Sequence, residues 1–90
     1  MPILGDEEVA AALADLPGWQ QARDGIRKTY EFPDFAGAMK FTNRVADLAE
    51  AANHHPDLLV QYRKVTLTLS SHDVGGITKR DIRLAREIDG

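Results

Sequence analysis

The sequence predicts an α+β fold: a four-stranded antiparallel sheet with three helices packed on one face, in the order α-β-β-α-β-β-α. Three observations predict it. Two pairs of short runs, 19–22 with 26–32 and 58–62 with 65–70, are rich in β-branched and aromatic residues and close on turn chemistry. Three stretches with apolar residues at helical spacing flank and separate those pairs. At 90 residues the chain suits a single domain, because a chain of this size buries roughly two-thirds of its unfolded surface in one core.

Residues 6–16 read as the first helix, with acidic residues in the first turn, an alanine-rich body and Pro17-Gly18 as the stop. Val9, Leu13 and Leu16 share its inward face, and Trp19 reads as core. Arg23-Asp24-Gly25 turns the first strand pair, Asp-Gly being a hairpin signal. On its second strand Ile26, Lys28, Tyr30 and Phe32 fall on one face, with the Lys28 stem lying flat so that its amine reaches water. Asp34 is the expected N-cap of a long helix over 35–53, whose core stripe reads Phe35, Met39, Thr42, Val45, Ala46, Ala49 and Ala52. That helix must end near His54, since Pro56 disfavours the α conformation at His55. Arg63-Lys64 turns the second pair, with Tyr62 as strand packing and Val65, Leu67 and Leu69 on one face. A loop over 71–76 leads to Thr78-Lys79-Arg80-Asp81, a capping box with Asp in the usual Glu place. Ile82, Ala85 and Ile88 or Leu84 face inward on the last helix.

Composition excludes several functions. Eleven Lys+Arg against 14 Asp+Glu give a net charge of −3, with no basic run, which speaks against nucleic acid or an anionic membrane as the main partner. The absence of cysteine removes disulfides, thiolate nucleophiles and thiolate metal ligands. No apolar stretch approaches a membrane span, and the first residues lack the pattern of a signal peptide, so the expected location is cytoplasmic.

All three histidines fall in one region: His54 and His55, followed by Pro56, and then His72. Imidazole exchanges protons near neutrality, so the cluster indicates proton transfer or a metal. Metal is the weaker reading. Neighbouring side chains diverge by about 100° on a helix and about 180° on a strand, so His54 and His55 rarely share an ion, and no H-E-x-x-H motif is present. A serine hydrolase using Ser70 or Ser71 would want a nucleophile elbow, and none is seen. At a helix C-terminus the dipole favours imidazolium, which keeps a proton ready to donate. Glu50 lies one turn before His54, where a carboxylate would orient the ring and favour its protonated form.

The series Glu50…His54-His55-Pro56…Tyr62…His72…Asp81 resembles the signature of the pterin-4a-carbinolamine dehydratases. Leu16-Pro17-Gly18-Trp19, Phe32-Pro33-Asp34-Phe35, Leu69-Ser70-Ser71-His72 and Gly76-Ile77-Thr78 extend the similarity over most of the chain. The resemblance implies a lyase that converts 4a-hydroxytetrahydropterin to quinonoid dihydropterin and water, with no cofactor and no metal. It implies His54, His55 and His72 as catalytic residues, His54 and His72 foremost, with Glu50 orienting one of them. Asn53, His54, His55, Ser70, Ser71, His72 and Asp73 would hold the flat pterin ring, and Arg80 would line the site or anchor the neighbouring loop. Asn53 stands where some relatives carry an acid, and Leu58 where some carry an aromatic. Asp81 reads as a helix-cap residue. The implied setting is recycling of a tetrahydrobiopterin-type cofactor beside a pterin-dependent aromatic amino acid hydroxylase, in a homodimer or homotetramer joined at open strand edges. The alternative is a non-catalytic binding module, a dimerisation cofactor or assembly factor for another protein.

Overall fold

The computed structural model describes residues 2–90 and holds seven elements: α1 (Asp6–Leu13), β1 (Gln20–Ala22), β2 (Gly25–Glu31), α2 (Phe35–Ala52), β3 (Asp57–Gln61), β4 (Lys64–Leu69) and α3 (Lys79–Asp89). The order and types are those predicted. The strands form one open antiparallel sheet in the order β1-β2-β4-β3, leaving β1 and β3 as its edges. Ile26 pairs with Leu69, Lys28 with Leu67 and Tyr30 with Val65, while Leu58 and Val60 of β3 lie opposite Leu67 and Val65. One face of the sheet is thereby apolar at its centre.

Helices from both ends and the middle of the chain cover that face. Val9 and Leu16, Ala38 and Val45, and Ile82, Leu84, Ala85 and Ile88 join Ile26, Val65, Leu67 and Leu69 in a single buried cluster. The opposite face carries Arg27, Thr29, Glu31, Lys64 and Thr66, with Thr29 Oγ1 bonded to Thr66 Oγ1 at 2.9 Å.

Five sequence expectations are corrected. α1 ends at Leu13, and single turns carry the chain on to Leu16, which is buried nonetheless. The α2 stripe is rotated. Ala38, Val45 and Ala49 are buried and Phe41 and Leu48 pack on the core, whereas Phe35 is half exposed and Ala46 and Ala52 face outward. The second hairpin turns at Tyr62-Arg63, because Gln61 pairs with Lys64, so Tyr62 is an exposed turn residue with φ 55° rather than strand packing. Lys28 does not end in open water: its amine meets Asp89 at 3.0 Å, above the Tyr30 ring. The first hairpin turns on Arg23-Asp24 alone, since Gly25 already pairs with Ala22. Gly25 has φ 147°, and a Cβ there would sit 2.1 Å from the Leu69 carbonyl oxygen, so only glycine lets β2 run this close to β4.

Candidate active site

The C-terminus of α2 places the first two histidines. Asn53 adopts the left-handed conformation (φ 50°, ψ 43°), and His54 N–H donates back to Ala49 C=O at 3.1 Å. This closes the helix in the manner of a Schellman turn, with asparagine as the non-glycine residue that best tolerates the left-handed well. The chain therefore leaves the helix axis at Asn53, and the two rings part company. His54 turns inward and is 8% exposed; His55 turns out to solvent.

Their partners differ from the sequence expectation. Glu50 Oε2 meets His55 Nε2 at 3.3 Å, on the surface, and not His54. The i,i+4 argument fails because His54 lies beyond the helix end, where helical spacing no longer holds. His54 Nε2 bonds Asp81 Oδ1 at 2.5 Å, wholly inside the protein.

Asp81 is the junction of the site. Its Oδ2 accepts from Ser71 Oγ at 2.9 Å and from Thr78 N–H at 2.9 Å. Ser71 Oγ lies 2.8 Å from Thr78 Oγ1, which accepts from Arg80 N–H at 3.2 Å. Ser71, Thr78 and Asp81 are fully buried, so this is an enclosed polar network, and its donors and acceptors are matched. Asp81 is thus the helix-cap residue read from the sequence and also the group that meets His54. The capping pattern disclosed the first duty; the second spans 27 residues and has no local signal.

The third histidine rides on the loop held by this network. Ser71 N–H donates to Gly76 C=O at 2.8 Å, and Ser71 C=O accepts from Gly75 N–H at 2.9 Å, forming a tight cycle with His72 and Asp73 at its exposed rim. Arg80 Nη2 grips Asp73 Oδ1 at 2.6 Å. That hydrogen bond holds the exposed Asp73 carboxyl below its ordinary value. Arg80 Nε–H is buried with no partner among the described residues, an unmet donor at the edge of the site.

Asp57 pairs with Thr68, so the segments carrying His54-His55 and Ser70–Asp73 leave the sheet at the same end. The two segments line different hollows. His54 lines a hollow of about 390 Å³ with Arg80, Arg83 and Glu87 between α2 and α3. His72 and Ser70 line another of about 360 Å³ with Gln21, Asp24 and Gly25. Among the described residues no cluster of three His, Asp or Glu side chains is placed to hold a metal, and no helix is long and apolar enough to cross a membrane.

Residues 2–90 match the family described as Pterin 4 alpha carbinolamine dehydratase. The chain belongs to this family. A protein of Thermomicrobium roseum, provisionally named a pterin-4-alpha-carbinolamine dehydratase, is 49% identical over 88 residues, covering 98% of this chain and 95% of that one. A protein of Koribacter versatilis with the same provisional name is 52% identical over 86 residues, covering 96% and 92%. A crystal structure from Brucella melitensis, described as a transcriptional coactivator/pterin dehydratase, superposes with a TM-score of 0.93 at 34% identity, covering 98% of this chain and 96% of that one. The relatives' names are those of dehydratases, lyases that remove water. Membership of the pterin-4a-carbinolamine dehydratase family thus rests on the whole chain, beyond the histidine series from which the resemblance was first read.

Proposed function

We propose that this protein dehydrates 4a-hydroxytetrahydropterin to quinonoid dihydropterin by histidine acid–base catalysis. The observation that carries the reading, within a family shown over residues 2–90, is the Asp81 carboxylate that ties His54 to Ser71, the residue beside His72. In the reaction the C4a–O bond breaks as an acid protonates the leaving hydroxyl. The N5–H proton passes to a base, and its electron pair closes the N5=C4a bond. Each such proton transfer typically contributes about 10²–10⁴-fold.

His54 and His72 are proposed as the principal pair, with His55 assisting or binding. His54 Nε2 is engaged by Asp81, which leaves Nδ1 for substrate; the His72 ring is exposed on its loop. Glu50 steadies His55 in this scheme. Backbone groups of Asn53–His55 and Ser70–Asp73 are proposed to hold the pterin, and the Arg80–Asp73 bond keeps the second segment in place. The physiological setting we infer is cytoplasmic recycling of a tetrahydrobiopterin-type cofactor beside an aromatic amino acid hydroxylase. Assembly into a homo-oligomer would use the open β3 edge, where Leu58 and Leu59 are exposed.

The test is to generate the 4a-carbinolamine with a pterin-dependent hydroxylase and follow its loss spectroscopically with the purified protein. Acceleration over the spontaneous reaction is expected. A rate equal to the spontaneous one would refute the reading and leave the binding-module alternative.

A further inference from the structure

Asp81 does more than a helix cap requires. As the third residue of α3 it completes the capping box with Thr78, a role that exposed carboxylates fill at helix ends generally. Asp81 is instead wholly buried, and its remaining bonds run away from the helix to His54 and Ser71. A carboxylate only accepts, so the proton of the first bond belongs to His54 Nε2, and His54 Nδ1 keeps its lone pair whenever the ring is neutral. Ser71 directly precedes His72 and closes its loop through the Gly76 and Gly75 bonds. Arg80, beside Asp81, holds Asp73 on the other side of His72.

We propose that Asp81 is a positioning residue: Oδ1 locks His54 in the Nε2–H form, leaving Nδ1 for the reaction, and Oδ2 sets the His72 loop through Ser71. One carboxylate on α3 would thus fix the relation between two histidines borne by other parts of the chain. The catalytic half of this statement rests on the dehydratase reading; the tautomer does not.

The experiment labels the histidines with ¹⁵N and reads the His54 tautomer from two-bond ¹H–¹⁵N correlations at alkaline pH, beside kcat and KM for the carbinolamine. The wild type is expected to show Nε2–H. Asparagine can offer its NH₂ to the ring, so Asp81→Asn is expected to shift His54 to Nδ1–H. It should lower kcat by about 10²–10⁴-fold with KM changed far less, as when the carboxylate behind a catalytic imidazole is lost elsewhere. Asp81→Glu keeps the carboxylate and the capping pattern and is expected to recover part of kcat. Thr78→Ala removes the hydroxyl that caps Arg80 N–H and meets Ser71 Oγ but leaves the Asp81–His54 bond, so it should lower the melting temperature while His54 stays Nε2–H. Nδ1–H in the wild type overturns the proposal, as does an Asp81→Asn variant that keeps both tautomer and kcat. Should Asp81→Asn not fold, the wild-type and Thr78→Ala spectra decide by the same criterion. Nε2–H in a wild-type protein that accelerates no dehydration would remove the proposed reaction and leave the positioning of His54 standing.

Discussion

Replacing Asp89 by alanine removes the tie between the end of α3 and the sheet. Asp89 Oδ2 accepts from Trp19 Nε1 at 2.8 Å and from Lys28 Nζ at 3.0 Å, and Oδ1 accepts from the Tyr30 hydroxyl. Hydrogen bonds to a charged group are worth about 1.5–3 kcal/mol when shielded, and a buried donor left unpaired costs about 1–3 kcal/mol. Shielding is incomplete here, since the Lys28 and Asp89 side chains are each 20% exposed. Trp19 is only 4% exposed, so its orphaned N–H dominates. The expected loss is about 2–4 kcal/mol, with most of the ion-pair contribution discounted for solvent. At roughly 4–8 °C per kcal/mol for a domain this small, the melting temperature should fall by about 10–30 °C. Asp89→Asn keeps an acceptor and should fall about half as far. Thermal unfolding followed by circular dichroism is the assay. An Asp89→Ala variant melting within a few degrees of the wild type would refute the reasoning.

The same cluster sets the pH limits. Burial pulls the Asp89 carboxyl up, but the hydrogen bonds from Tyr30, Lys28 and Trp19 outweigh it and hold it below its ordinary value. Its contribution is present above the unfolded carboxylate value of about 3.9 and is lost as pH falls below that. Burial, then the Asp89 hydrogen bond, raises the Tyr30 phenol. Its contribution is present below the unfolded value of about 10 and is lost as pH climbs above it. Asp89→Ala should flatten the acid limb of a melting-temperature profile and only lessen the alkaline one, which the burial of Tyr30 still sustains.

Gly25→Ala would drive a Cβ against the Leu69 carbonyl at a left-handed φ, and urea denaturation should show a loss of about 3 kcal/mol. Asn53→Gly should hold or slightly raise stability, whereas Asn53→Val forces a β-branched residue into the left-handed well and should cost about 1–2 kcal/mol in the same assay. Glu50→Gln breaks only an exposed pair with His55, so calorimetry should record a change of at most about 1 kcal/mol.

What was legible in the sequence follows the range of each signal. Turn chemistry, alternation and caps are local, and they placed every element within a few residues. The α2 stripe was not legible, because an alanine-rich helix with Phe35, Met39, Phe41 and Leu48 is apolar on most sides, and only the sheet beneath decides which side is buried. The histidine cluster was legible as chemistry, and the divergence of His54 from His55 follows from elementary geometry. Its pairing was not. Asn53 breaks the helical spacing that assigned Glu50 to His54, and the Asp81 bond joins segments far apart in sequence. The Asp89 tie, 70 residues from Trp19, was invisible for the same reason.

The most direct measurement of the central claim is the dehydration rate of His72→Ala beside the wild type. His72 is exposed at a loop rim and makes no side-chain bond among the described residues that its loss would orphan, so the variant should melt as the wild type does. The expected result is a fall in kcat of about 10²-fold or more at unchanged stability. A His72→Ala protein with the wild-type rate would contradict the account.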